Sequence, residues 1–115
     1  GGGFTEDLVK KQTLPEIPNE AFNGLKNNRG SIAMARTNMP HSATAQFFIN
    51  TANNNFLNYS GKSMRGWGYS VFGKVTKGID IVDNIENSRT GAKGIFPKDV
   101  SLDRVIILSV KIGKE

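Results

Sequence analysis

Gly30-Ser31-Ile32-Ala33-Met34-Ala35-Arg36, followed across a short loop by Gln46-Phe47-Phe48-Ile49-Asn50-Thr51, is the stretch that decides the fold. In the first segment Ile32 and Met34 alternate with small residues, the two-residue period of a strand. In the second, Phe47 and Ile49 share one face and Gln46, Phe48 and Asn50 share the other. An aromatic side chain beside two amides on one face is unusual for a half-buried strand. Between the segments, Asn38, Pro40 and Ser42 are turn formers.

Working toward the C-terminus, residues 53–68 are turn-rich, with Gly61, Gly66 and Gly68. Residues 69–75 read as a third strand. Ile79, Val82 and Ile85 have helical spacing, which predicts a helix over residues 79–87. Gly91, Gly94 and Pro97 mark a further loop, and the alternation over residues 104–112 predicts a long closing strand. Toward the N-terminus, residues 1–29 read mostly as surface loop, with Pro15 and Pro18 blocking regular structure. A sheet of so few strands leaves unpaired edges, so further strands are expected to complete it.

The 115 residues suit one domain. Thirteen glycines favour turns and a mainly β fold over a helical bundle. There is no cysteine, which excludes disulfides and thiolate metal sites. No apolar run approaches the ~20 residues of a membrane span, so no membrane partner is expected. The net charge of +5 comes from scattered basic residues, which read as a basic surface and not as a specific nucleic-acid site. His41 in its polar loop reads as solvent-facing. Trp67 reads as a packing plug, and Asp80, Asp83 and Glu86 read as a solvated helix face without metal-binding convergence. The expected address is cytoplasmic, or periplasmic where a leader has been removed.

Met34-Ala35-Arg36 and Ser42-Ala43-Thr44-Ala45-Gln46-Phe47-Phe48-Ile49 together resemble the central signature of the cyclophilins. Tyr69-Ser70-Val71-Phe72-Gly73-Lys74-Val75, with Gly78-Ile79-Asp80-Ile81-Val82-Asp83, is similar to that family's next strand and second helix. Gly1-Gly2-Gly3-Phe4 and Asn19-Glu20-Ala21 are similar to its bacterial branch. The likeness runs in order from Gly1 to about Ile112.

The resemblance implies a closed eight-stranded antiparallel β-barrel with capping helices and an outer groove for an Xaa-Pro peptide. Residues 1–115 would then be a single, N-terminally incomplete domain: mainly β, part of that barrel, with one capping helix and the N-terminal third absent. It implies a peptidyl-prolyl cis-trans isomerase that assists protein folding, with Gln46 and Phe48 as its catalytic positions. Met34, Phe48 and Leu57 would floor the pocket and Gln46 would hydrogen-bond the substrate backbone. Ala35 and Arg36 would pair with the peptide as a strand, and Phe56 and Tyr69 would complete the rim. The family's catalytic Arg lies just before the Gly-Gly-x-Phe motif and has no counterpart in this chain. Binding of Pro-peptides with little catalysis is therefore the alternative function.

The implied partners are proline-containing peptides and unfolded proteins. Cyclosporin is expected to bind weakly, because Phe56 lacks an indole N–H. On the residues alone, Phe48 also reads as core, Gln46 as a cap on neighbouring backbone, and Phe56 and Leu57 as loop packing. The chemistry demands little of the chain. Rotation about the prolyl bond is opposed by ~20 kcal/mol of lost amide resonance, so no cofactor, metal or nucleophile is required. An enzyme has only to favour the twisted amide over both planar forms.

Overall fold

The computed structural model describes residues 1–88, 90–93, 96–101 and 105–113. Five strands and one α-helix follow in order: β1 (Ser31–Met34), β2 (Phe47–Ile49), β3 (Val71–Lys74), α1 (Ile79–Glu86), β4 (Thr90–Lys93) and β5 (Phe96–Ser101). Short 3-10 turns form at Ala21–Asn23 and Asn55–Leu57. The three strands and the helix anticipated from periodicity are present, each within two residues of its expected ends. The architecture is mainly β.

Strand β1 is the centre of a three-stranded antiparallel sheet in the order β2-β1-β3. Ile32 faces Ile49, Ala33 faces Phe48 and Met34 faces Phe47. On the other edge a bulge between Ile32 and Ala33 sets Ala33 opposite Val71. Outside β2, Gly1 pairs with Phe47: its N–H group donates to the Phe47 carbonyl at 2.8 Å, and the Phe47 N–H donates back at 3.0 Å. Gly30, at φ 87°, donates to the Asn50 carbonyl and accepts from the Val75 N–H, each at 2.7 Å. The left-handed conformation that glycine adopts freely thus ties the end of β2 to the end of β3.

The described core is small and polar. Ala21, Ala33, Ala43 and Val71 are its buried apolar residues, while Asn27 (0% exposed) and Asn50 (1%) are the largest fully buried side chains. The Asn50 amide donates to Asn27 Oδ1 at 3.0 Å and to Ser31 Oγ at 2.8 Å. Its own Oδ1 accepts from Asn54 Nδ2 at 2.8 Å. No buried side-chain polar atom among the described residues lacks a hydrogen-bond partner, which is the condition for an amide to be tolerated inside.

Helix α1 is fastened to this sheet by charge. Arg29 grips Asp83 with both terminal guanidinium nitrogens, Nη1 and Nη2, at 2.8 and 2.7 Å, and Thr51 Oγ1 donates to Glu86 at 2.7 Å. The acidic helix face expected to be solvated is therefore partly engaged: Asp83 and Glu86 anchor the helix. The forked geometry of arginine suits such a carboxylate grip. No helix among the described residues is long and apolar enough to cross a membrane.

Two sequence expectations need correction. Residues 105–113 form no strand and lie open, with Leu108 92% exposed; Arg104 lies outside the described residues. Alternation is necessary for a strand but not sufficient, because a strand exists only by pairing and residues 105–113 pair with none of the described strands. The loop expected around Gly91 and Pro97 is instead the β4–β5 hairpin, with a register shift between Gly91 and Lys93. Pro97 is accommodated because a two-stranded ribbon leaves one side of each strand unpaired; Gly94 is not among the described residues. The described strands make a three-stranded sheet and a separate hairpin.

Two outcomes follow from the buried amides and the helix clamp. Asn50→Leu, with the same number of side-chain heavy atoms and the same branch point, strands polar groups of Asn27, Ser31 and Asn54, and should lower stability by about 3 kcal/mol. The check is the urea midpoint at unchanged slope, and a loss below about 1 kcal/mol would contradict the core described above. Asp83 should show its clamp through pH. The Arg29 side chain holds the Asp83 carboxyl below its ordinary value, chiefly by hydrogen bonding, with desolvation opposing the shift and charge attraction adding a smaller lowering. A carboxylate with a lowered native pKa adds stability that is complete above its unfolded value of ~3.9 and is lost as pH falls through the native one. The Tm deficit of Asp83→Asn should therefore be steady from about pH 7 to 5 and shrink as pH falls below the unfolded value of ~3.9. A deficit independent of pH would show that the ion pair is not its origin.

Candidate functional site

One face of the sheet carries Ala33, Phe48 and Val71 in register. Ala33 is fully buried, and its small side chain leaves room for the aromatic groups beside it. Tyr69, two residues before Val71 on the same face, meets Phe48 edge-on, with ring centroids 5.6 Å apart and planes at 79°. Arg36 completes the cluster, its guanidinium carbon 4.8 Å from the centre of the Tyr69 ring, within range of cation–π attraction.

Arg36 is also a staple. Nε donates to the Gly68 carbonyl at 2.9 Å, Nη1 to Thr37 at 2.9 Å and to Asn38 at 3.4 Å, and Nη2 to Met64 at 3.1 Å. One side chain so ties the turn after β1 to the loop that delivers Tyr69. Its donors are spent on protein carbonyls, which leaves little of this cation for a substrate. The expected pairing at Ala35 and Arg36 rests on their backbone, and the Ala35 N–H already donates to the Gln46 carbonyl at 2.9 Å.

The 3-10 turn Asn55–Leu57 joins this frame through its backbone. The Leu57 carbonyl accepts the Tyr69 N–H at 2.9 Å and the Asn27 amide at 3.1 Å. Asn27 donates as well to the Tyr69 carbonyl at 3.1 Å. Phe56, on the same turn, is 81% exposed and has no aromatic neighbour among the described ring contacts. Gln46 is exposed, at the edge of the Phe48 face.

The structure brings Phe48, Tyr69 and Arg36 into contact and links Leu57 and Gln46 to the same frame through their backbones. It does not bring Met34 to Phe48. Met34 is registered with Phe47, and directly opposed residues share a face, so Met34 lies on the other side of the sheet. There it lines a groove of about 180 Å³ with Ile17, Pro18, Ala43 and Phe72. A pocket floor shared by Met34 and Phe48 is thus excluded by parity.

His41 is exposed, as expected, but is not idle. Its Nδ1 accepts the Asn19 N–H at 3.0 Å, and its ring meets Trp67 edge-on at 4.7 Å. Trp67 also touches Tyr59 and Phe22, which makes it the hub of an aromatic cluster on the loops. Asn19, buried, donates to the Pro40 and Gly68 carbonyls and so joins that cluster to the Arg36 staple. Sequence reasoning passed over Asn19, Asn27 and Asn50 as supports of the site. The available signal was slight: Asn50 shares a strand face with Phe48. Among the described residues, no group of three or more metal-ligating side chains converges.

Chemically, the arrangement offers an apolar aromatic surface bordered by an amide, on a stiff backbone frame. Comparison with known proteins gives it a context. The family model described as "Cyclophilin type peptidyl-prolyl cis-trans isomerase/CLD" matches residues 1–112. Peptidyl-prolyl cis-trans isomerase B of Escherichia coli is 54% identical over 114 residues, covering 99% of this chain and 69% of the relative. Peptidyl-prolyl cis-trans isomerase cyp18 of Streptomyces antibioticus is 55% identical over 112 residues, 97% of this chain and 67% of the relative. Peptidyl-prolyl cis-trans isomerase A of Dickeya dadantii is 47% identical over 115 residues, the whole of this chain and 58% of the relative. The chain belongs to the cyclophilin-type peptidyl-prolyl cis-trans isomerase family.

Proposed function

We propose that this cyclophilin-type chain acts in peptidyl-prolyl cis-trans isomerisation by holding an extended Xaa-Pro segment across Ala35, Gln46, Phe48, Leu57 and Tyr69. The observation that carries the reading is the Phe48–Tyr69 edge contact, fixed by strand register on one side and by the Leu57 carbonyl on the other. The prolyl ring packs against Phe48, an apolar surface of suitable size. The Gln46 amide holds the flanking peptide backbone while the prolyl bond turns. A group held at both ends but free to twist between them is steered toward the transition state, and each tenfold of rate needs only about 1.4 kcal/mol of selective binding.

A cation near the prolyl nitrogen would add electrostatic stabilisation of the twisted amide. Arg36 is not that cation, because its guanidinium is committed to backbone carbonyls and the Tyr69 ring. The same commitment favours a second reading, in which the chain holds proline-containing peptides with little turnover.

A protease-coupled assay on an Ala-Pro peptide, run beside a direct peptide titration, separates the two. Under the first reading the protein accelerates isomerisation and Phe48→Ala lowers kcat/KM by roughly thirtyfold, the equivalent of about 2 kcal/mol of lost apolar contact. Under the second the peptide binds without acceleration, and Phe48→Ala weakens binding alone. Indifference to Phe48→Ala in both measurements would defeat both readings. Cyclosporin provides an independent check of the rim. Affinity should be weak, and Phe56→Trp should tighten it by about fivefold through the added indole donor. An unchanged inhibitor affinity would remove Phe56 from the site.

A further inference from the structure

The sequence opens with three glycines, and each lies against residues 45–47 for its own reason. Gly1 pairs with Phe47 through the two backbone hydrogen bonds already described. Gly2 has φ 85°, and a Cβ there would stand 2.5 Å from the Ala45 carbonyl oxygen, so neither conformation nor space admits a side chain. Gly3 is different. It is buried, and its φ lies outside the left-handed region, so its backbone does not itself demand glycine. A Cβ at this position would stand 2.5 Å from Gln46 Cγ, 2.6 Å from Cδ and 2.7 Å from Nε2.

All three of those atoms belong to one flexible, exposed side chain, and the backbones on either side are fixed. The Gly3 carbonyl accepts the Lys11 N–H at 2.9 Å, and Phe4 bridges to Lys10. The Gln46 carbonyl accepts the Ala35 N–H at 2.9 Å, and the next residue, Phe47, is paired on both sides. Gln46 Cγ is the first atom beyond Cβ, so a methyl group on residue 3 requires the whole Gln46 side chain to turn about χ1, the most compliant movement present.

We propose that Gly3 is a positioning residue for Gln46: its bare backbone is the wall against which the side-chain amide rests, and this sets where the amide points. The functional consequence rests on the reading that Gln46 holds the peptide. The geometric part stands without it. What the glycine contributes here is the space it leaves to the neighbouring Gln46 side chain.

The test is a double-mutant cycle with a spectroscopic arm. Gly3→Ala should shift the Gln46 side-chain NH₂ resonances in a ¹⁵N–¹H spectrum while leaving the backbone amides of β1 and β3 in place. It should raise the KM, or the Kd, for an Ala-Pro peptide by about fivefold, the worth of one hydrogen bond. In a Gln46→Ala background the same substitution should have less than about a twofold effect, because the group it displaces is gone. Equal losses in both backgrounds, or unmoved Gln46 resonances, would overturn the proposal. So would failure of both Gly3→Ala and the Gly3→Ala/Gln46→Ala double variant to fold, since something stiffer than Gln46 would then meet the methyl. If the protein binds no prolyl peptide, the functional reading fails, and the resonance shift still decides whether Gly3 sets the amide.

Discussion

The hydrogen bond between two fully buried amides, Asn50 Nδ2 to Asn27 Oδ1, is the constraint on which the described structure turns. Everything near it is arranged by the need to satisfy what remains of both side chains. Asn27 still has its NH₂ group to place, and it shares those two hydrogens among the Leu57 carbonyl, the Tyr69 carbonyl and Asn58 Oδ1. Asn50 has one more hydrogen, given to Ser31, and an oxygen that accepts from Asn54. In a low-dielectric interior any one of these left unmade costs about 1–3 kcal/mol. The chain segments bearing the partners are therefore held at fixed distances and angles. The apolar part of the core, three alanines and Val71, does no such work, because small side chains specify a separation but no direction.

What those amides hold is the frame of the candidate site. Leu57 stands on a turn of three residues and Tyr69 stands just before β3; neither lies in an element with its own ladder of hydrogen bonds. Each is fixed because Asn27 reaches both from behind. Arg36 performs the same service at the opposite rim, where its guanidinium collects carbonyls from two loops and lies over Tyr69. The Tyr69 ring is thereby placed by one buried amide and one cation, and Phe48 by its register on β1. Register is rigid, whereas the loops would be free without their polar anchors.

This division explains what the sequence revealed and what it concealed. Strands β1, β2 and β3 and helix α1 were legible because apolar period is a local property, present in Ile32 and Met34, in Phe47 and Ile49, and in Ile79 and Val82. The Phe48 face was legible because Gln46 and Asn50 share its parity. Residues 105–113 show equally good alternation and form no strand, because pairing depends on a neighbour that the segment itself cannot encode. Gly91 and Pro97 were read as breakers, yet a ribbon with an unpaired side tolerates both. The position of Met34 followed the same logic. The resemblance set it beside Phe48, and only the register that sets it opposite Phe47 shows that it belongs to the other face. Asn27 carried no warning, since an asparagine in a polar, glycine-containing stretch has the same local pattern in solvent as in a core.

A polar scaffold suits this chemistry better than an oily one. Isomerisation of a prolyl bond offers the protein no covalent step in which a misplaced group can be corrected, so the rate gain comes from how well a twisted amide fits a prepared surface. Apolar packing tolerates shifts of a few tenths of an ångström at small cost, while hydrogen bonds are short and directional and lose strength steeply as they bend. A site whose walls hang on Asn27, Asn50 and Arg36 therefore holds its shape against the pull of a flexing substrate. The same economy extends to the rim. There Gly3 supplies position by omitting a side chain, and the flexible Gln46 amide gains a defined direction from a backbone that cannot yield.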